Sequence, residues 1–299
     1  RVPDRNEEYF LYQTLVGVWP AGGAQGSAYE DLIQRIKEYM LKASREAKVN
    51  TSWINPDAKY EDALLAFIEA VLSPVRKNRF LDDFLPFQRM VSRYGVFNSL
   101  SQTLLKIASP GVPDFYQGTE LWDFSLVDPD NRRPVDYEKR IRMLAELKRI
   151  ETEKTTAGLA QKLLLHEDDG MIKQFLIVKA LHYRMARRAL FERGEYAPLA
   201  AAGEKAGHVC AFVRSLDGAS VIVAVPRFPT RLIDSRSMLF REAVWGDTHL
   251  ALPDAGKGAR FRNMITAEVV DTEQEKGEQR LPLSLLFASF PVALLEKDV

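Results

Sequence analysis

The chain has 299 residues, with 41 Lys and Arg against 41 Asp and Glu, so its formal net charge is zero. This balance argues against a broad surface for nucleic acid or anionic membranes. Hydrophobic residues make up 46% of the chain and charged residues 27%, which is typical of a soluble globular protein with one large or two medium domains.

The single cysteine, Cys210, cannot form an internal disulfide, and it lies in a strand-like run. We therefore expect a buried thiol in a reducing, cytoplasmic compartment. No apolar run approaches the ~20 residues that a membrane span requires. His182 has no second His or Cys at metal-binding spacing, so we expect no metal site and no cofactor.

Apolar side chains recur at helical spacing through residues 4–108, which predicts an almost entirely helical first part. One unusual loop, TSWINP at 51–56, interrupts it. Trp53 in this loop has two interpretations, which the sequence leaves open. Its indole either stacks on a sugar ring or fills the junction between two helices.

The segment 109–137 carries the densest mixture of special residues. Pro110-Gly111 ends a helix, and the short apolar run Val112–Tyr116 predicts a buried strand. Polar residues 117–120 follow that strand. In parallel α/β folds, the carboxyl end of a strand is where ligands bind.

Opposite charges follow within a few residues: three acids and the pair Arg132-Arg133. The acids are Asp128, Asp130 and Asp136. This pattern indicates either a rigid loop held by its own ion pairs or a loop that faces a ligand.

Further helices are predicted after Asp136 and over 171–192, and from about residue 208 the period changes to that of strands. Leu216-Asp217-Gly218 is a hairpin signal. The predicted strands are Val209–Val213, Ala219–Val225, Met238–Trp245, Arg260–Ile265 and Phe290–Leu295. Together they predict a compact antiparallel β domain.

Four separated motifs carry a family resemblance. PGVPDFYQGTE at 110–120 and DPDNRRP at 128–134 resemble the last barrel strand of the α-amylase-like glycoside hydrolases and the segment after it. TSWINP at 51–56 and PDRNEEYFLYQTLVGVWP at 3–20 are similar to the corresponding parts of maltooligosyl trehalose synthases. The resemblance covers most of the chain and is strongest over 3–137.

The resemblance implies an α+β fragment of a (β/α)8 barrel enzyme. Residues 1–108 would be a helical insertion and the last helix before the final barrel strand. Residues 109–195 would hold that strand, a rim loop and following helices, and 196–299 a β-sandwich-like domain. Because the chain opens at Arg1 without an initiator Met, we expect it to be part of a longer protein.

The resemblance also implies an intramolecular transglycosylase, which converts the reducing-end α-1,4 linkage of a maltooligosaccharide to an α,α-1,1 linkage. In the family, the catalytic carboxylates lie upstream, the last in a His-Asp motif that this sequence lacks. We therefore assign no catalytic residue. Asp114 and Glu120 are the alternative carboxylates, but the family pattern gives them a supporting position.

The expected substrate-binding residues are those of the motif loops, with Arg132 and Arg133 competing for one role. They are Trp53, Tyr116, Gln117, Gly118, Glu120, Asp128, Arg132 and Arg133. The expected partners are a maltooligosaccharide and the N-terminal catalytic part, with homodimerisation of the isolated chain, which we expect to be inactive. The alternatives are a noncatalytic carbohydrate-binding or interaction fragment and part of an α-glucan hydrolase.

Overall fold

The structure is a computed structural model, and it describes residues 1–74, 77–233, 240, 242–252, 258–275 and 277–297. The chain forms two compact units. The first comprises Arg1–Arg93 and Asp123–Val135, and the second comprises Tyr94–Trp122 and Asp136–Val299. The three-part division at 108 and 195 stays a prediction.

The first unit is helical. Its helices are α1 (Arg5–Val18), α2 (Ser27–Ala47), α3 (Ala58–Leu72) and the beginning of the long α4 (Arg79–Ala108). Asp4 caps α1 and Asp57 caps α3, because each carboxylate accepts hydrogen bonds from two free backbone amides of the first turn. The apolar faces of these helices share one core, to which Leu126 of the later segment also packs.

The second unit begins with helices and ends with sheets. After α4 come α5 (Tyr137–Glu153), α6 (Thr156–Leu164), α7 (Met171–Ala186) and α8 (Arg188–Arg193). Two short helices, α9 (Glu242–Trp245) and α10 (Leu283–Leu286), lie between later strands. The predicted helix over 171–192 is thus two helices that break at Arg187.

All strands described in the second unit pair antiparallel. They are β1 (Glu195–Pro198), β2 (Ala201–Ala202), β3 (Val209–Leu216), β4 (Ala219–Pro226), β5 (His249–Ala251), β6 (Arg260–Asn263), β7 (Val269–Asp271), β8 (Glu273–Glu275), β9 (Glu278–Pro282) and β10 (Ala293–Lys297). One sheet has the order β1-β3-β4-β10-β6-β7, and the other has β2-β5-β9-β8. This confirms the predicted α+β class with an antiparallel β part at the end of the chain.

The hairpin between β3 and β4 is confirmed in detail. Leu216 pairs with Ala219, and the two residues between them have positive φ angles, 50° at Asp217 and 82° at Gly218. Two-residue turns of this kind match the twist of paired strands, and Asp-Gly is a favoured sequence for them.

Three expectations are wrong. Val112–Tyr116 is not a buried strand: it has no ladder partner, and Val112 is 93% exposed. A strand needs neighbours for its backbone hydrogen bonds, and the described residues place none beside it. Cys210 is exposed near the start of β3, although Phe212 and Arg214 on the same face of this strand are buried. Residues 242–245 are helical, whereas Met238, Leu239 and Arg241 of the same predicted strand lie outside the described residues.

Among the described residues, none of the helices combines the length and apolarity that crossing a bilayer would require.

Candidate sugar-binding site

The loop that starts after α4 is fastened at its beginning by two arginines of the second unit. Arg214 is buried and donates to the Ala108 carbonyl at 3.3 Å, and Arg184 donates to the Ile107 carbonyl at 2.6 Å. Arg184 also donates to the carbonyl of Gly111. The last carbonyls of a helix carry partial negative charge, so both cations stabilise this end of α4.

The apolar part of the loop packs beneath a lysine. The Lys106 ammonium lies 3.6 Å from the centroid of the Phe115 ring, which is a cation–π contact. Desolvation lowers the pKa of Lys106, and the charge of Asp114 opposes this shift. Phe115 therefore anchors the loop, while the next side chain, Tyr116, is 47% exposed.

Arg140 of α5 holds the polar turn that follows. Its guanidinium donates to the Glu120 carboxylate at 3.0 Å and to the backbone carbonyl of Gly118, and a third contact reaches the Asp136 carbonyl at 3.0 Å. Gly118 is buried with a φ of +90°, a conformation that favours glycine. The Arg140 guanidinium thus holds the turn from Tyr116 to Glu120 in place.

The end of the loop is fixed by α7 and the turn before it. Lys173 donates to the Leu121 carbonyl at 3.1 Å, and the Trp122 indole donates to the Glu167 carbonyl at 2.6 Å. Gly170, with a φ of +81°, lies so close that an added Cβ would meet the Trp122 nitrogen at 2.9 Å. A glycine is therefore required at this position.

This arrangement leaves an exposed edge with defined chemistry. Tyr116 offers a ring, Gln117 an amide, and Glu120 a partly exposed carboxylate that Arg140 already neutralises. Because the nearby cations bind backbone carbonyls, a ring or a carboxylate of the same chain, the edge suits a neutral polyhydroxylated ligand better than an ion. Across the described ranges, no group of three or more His, Cys, Asp or Glu side chains is arranged to hold a metal ion.

The segment 123–135 belongs to the first unit, where α2 holds it. Arg35 grips the Asp130 carboxylate with two hydrogen bonds of 2.7 and 2.8 Å and also donates to the Phe124 carbonyl. Burial acts to raise the pKa of Asp130, but the hydrogen bonds from Arg35 and from the Leu126 amide lower it overall. Lys42, two turns after Arg35, donates to the Asp128 carbonyl at 2.8 Å.

The two competing arginines have different partners. Arg132 pairs with the Asp128 side chain, four residues earlier, and this hydrogen bond lowers the pKa of Asp128. Arg133 instead contacts Asp130, which Arg35 already binds. The loop is therefore held partly by its own ion pairs, Arg132–Asp128 and Arg133–Asp130, and partly by Arg35 of α2. The exposed Arg132–Asp128 pair is the part that a ligand can reach.

Trp53 does not fill a helix junction, because 58% of its surface is exposed. Its ring lies 4.8 Å from the guanidinium carbon of Arg45, and Arg45 pairs with the buried Glu61 of α3. The other three tryptophans are buried or partly buried. Trp53 thus presents an exposed aromatic face in the first unit.

The predicted site residues therefore fall into two groups. Tyr116, Gln117, Gly118 and Glu120 come together in the second unit, whereas Trp53, Asp128, Arg132 and Arg133 belong to the first. Within the first unit, Asp128 contacts Arg132, and Trp53 contacts Arg45.

The sequence did not point to the cations that hold these loops. Arg140, Arg35 and Arg45 all lie on helices and would be taken for solvated charges. Arg35 and Lys42 carried a weak signal, because a spacing of seven residues places both on one face of α2.

Comparisons with known proteins give a consistent result. A curated protein from Mycobacterium tuberculosis (strain CDC 1551 / Oshkosh) that carries the name maltooligosyl trehalose synthase is 34% identical over 296 residues. The match covers 99% of this chain and 32% of that protein. No family model matches the chain.

Solved structures agree. Maltooligosyltrehalose synthase from Arthrobacter ramosus matches with a TM-score of 0.70 and 31% identity, over 97% of this chain and 32% of that one. A hypothetical maltooligosyl trehalose synthase from Sulfolobus tokodaii matches with a TM-score of 0.66 and 30% identity, over 98% and 32%. The chain spans about a third of the length of these relatives, and in sequence and fold it corresponds to the C-terminal part of the maltooligosyl trehalose synthases.

Proposed function

We propose that the whole protein is a (1→4)-α-D-glucan 1-α-D-glucosylmutase. It would move the reducing-end glucose of a maltooligosaccharide from an α-1,4 to an α,α-1,1 linkage and leave a trehalose end. The observation that carries the proposal is the match of 99% of this chain to a protein named for that activity. The cytoplasmic location and the isolated chain's inactivity are further parts of the proposal.

Retention of configuration requires two carboxyl groups, a nucleophile and a general acid/base, on either side of the scissile bond. We infer that neither group belongs to this chain. Its residues instead bind and orient the sugar: Tyr116 and Gln117 at one edge, and Asp128 with Arg132 at another. Hydroxyl groups exchange hydrogen bonds well with carboxylates and guanidinium groups.

A titration of the chain with maltoheptaose, followed by amide and indole chemical shifts, tests the proposal. We expect saturable changes confined to the Trp53 indole and to residues 114–133. The control is cellohexaose, a glucose oligomer one unit shorter and in β-1,4 linkage, and it should give none. The absence of saturable changes, or equal changes with both sugars, would reject a maltooligosaccharide site and favour a noncatalytic interaction fragment.

A second experiment concerns exclusion of water. We propose that Trp53 helps to shield the glycosyl-enzyme intermediate, so that the released glucose is recaptured after it turns. Trp53→Ala in a full-length synthase carrying this sequence should raise the ratio of free glucose to trehalose-ended product. Product chromatography measures this ratio directly, and an unchanged ratio would remove Trp53 from this role. A wild-type enzyme that releases mainly glucose would identify an α-glucan hydrolase.

A further inference from the structure

We propose that Arg45 and Glu61 are positioning residues for Trp53, which hold the indole with one face closed by the guanidinium and the other face open to a sugar ring. This inference rests on the proposed contact between Trp53 and a maltooligosaccharide. It names the residues that fix the orientation of the indole for that contact.

Glu61 is a buried carboxylate. This carboxylate on α3 is 7% exposed, and a buried charge is costly unless it is paired. Its partners are Arg45 of α2, which donates through Nε at 2.8 Å and through a terminal nitrogen at 2.6 Å, and the Thr51 hydroxyl at 2.7 Å. The hydrogen bonds from Arg45 are the main cause of the lowered pKa of Glu61.

The loop that carries Trp53 is held by hydrogen bonds to hydroxyl groups. Thr51 opens this loop, and its hydroxyl also accepts a hydrogen bond from the Asp57 amide at 3.0 Å. The backbone N–H of Asn55 donates to the Ser52 hydroxyl at 2.9 Å. Glu61 therefore holds both the start of the loop and the arginine on which the loop's indole rests.

The Arg45 guanidinium is held by two hydrogen bonds. Two of its nitrogens are occupied by Glu61, so the plane of the Arg45 guanidinium is fixed, and its carbon lies 4.8 Å from the Trp53 ring centroid. A planar cation stacks on an aromatic face in a way that an ammonium group cannot reproduce. One face of the indole is thereby occupied while more than half of the side chain remains exposed.

An exposed indole without core packing would lose conformational freedom on binding, which opposes affinity. Stacking on a fixed guanidinium reduces that loss before the ligand arrives. The open face is flat, apolar and uncharged, which suits the C–H face of a pyranose rather than an ionic group.

The test is a double-mutant cycle on the affinity for maltoheptaose, measured by chemical-shift titration. Arg45→Lys keeps the charge but loses the two-point hydrogen bond and the contact of the guanidinium with the indole, so it should weaken binding about threefold to tenfold. Glu61→Gln should reproduce this loss. In the Trp53→Ala background, which has no ring for Arg45 to hold, Arg45→Lys should have much less effect. Arg149→Lys, on the exposed face of α5, is the matched control and should leave affinity unchanged.

A structural role alone would give a different pattern: equal weakening by Arg45→Lys in both backgrounds overturns the proposal. Wild-type affinity in Arg45→Lys together with weak binding by Trp53→Ala also overturns the positioning role, although the proposed sugar contact then survives. If Trp53→Ala binds as tightly as the wild type, or if the wild type does not bind, the contact and the positioning role both fail. Circular dichroism of each variant confirms that it is folded.

Discussion

At the scale of single residues, the loops with the predicted sugar-binding side chains are held by cations that come from helices. Arg140 contacts the Glu120 carboxylate and two backbone carbonyls, and Arg35 contacts the Asp130 carboxylate and the Phe124 carbonyl. Each guanidinium replaces hydrogen bonds that a strand or helix would otherwise have supplied. The loops are therefore ordered although their regular secondary structure in the described residues is limited to the 3₁₀ turn Asp130–Arg132.

Arg140 provides the first prediction. Arg140→Gln removes the ion pair with Glu120 and the bond to the Gly118 carbonyl, so we expect a loss of about 1–3 kcal/mol in the free energy of unfolding. Urea denaturation measures this loss. The matched control is Arg142→Gln on the same helix, where the exposed pair with Glu138 should contribute less than about 0.5 kcal/mol. Equal effects of the two substitutions would contradict the clamping role of Arg140.

Residues also show where sequence reasoning stopped. The Asp217-Gly218 hairpin was predictable because its requirement for positive φ is local. The motif identified the side chains at 116–120. The strand predicted just before them is absent from the structure, because strand pairing depends on distant segments that a local pattern does not report. No local pattern distinguishes Arg140 from a solvated arginine such as Arg142.

At the scale of elements, the loop 109–122 depends on its packing against the turn that begins α7. Gly170 lies against the backbone of Leu121 and Trp122. The Trp122 indole and Lys173 then join the same two segments by hydrogen bonds. The sequence alone does not predict the packing of Gly170 on Leu121 and Trp122, because a glycine before a helix is typical of any helix boundary.

Gly170→Ala should therefore destabilise the second unit. The added Cβ would meet the Trp122 nitrogen at 2.9 Å, and the φ of +81° is itself unfavourable for alanine, so we expect a loss of about 1–3 kcal/mol. Thermal unfolding provides the measurement. Gly95→Ala, in the interior of α4 with open space around it, should instead gain about 0.5–1 kcal/mol. A neutral Gly170→Ala would show that the junction is loose.

The pairing of α2 with α3 through Arg45 and Glu61 predicts a pH dependence. The pKa of Glu61 is lowered from its usual value of 4.5 in the folded state, so the unfolded state binds more protons in acid. The stabilisation is fully present above pH 4.5 and is lost as the pH falls through the lowered pKa. The difference in unfolding free energy between wild type and Glu61→Gln should therefore shrink as the pH falls below 4.5. A constant difference would exclude this linkage.

At the scale of the whole molecule, the chain joins a helical unit to a second unit that ends in antiparallel sheets, and it spans about a third of the length of its relatives. Sequence patterns gave the fold class because helical and strand periods are local properties. The division of the chain was harder to foresee, since residues 123–135 return to the first unit after a segment that belongs to the second.

The central claim is that this chain supplies sugar-binding surfaces and not the reacting carboxylates. The most direct measurement is kcat for maltoheptaose conversion by a full-length synthase carrying Asp114→Asn or Glu120→Gln in this sequence. Both variants should retain trehalose-forming activity within about a hundredfold of the wild type, whereas loss of a true nucleophile or general acid/base costs about 10⁴-fold or more. A loss of that larger size in either variant would place a catalytic carboxylate in this chain and contradict the account.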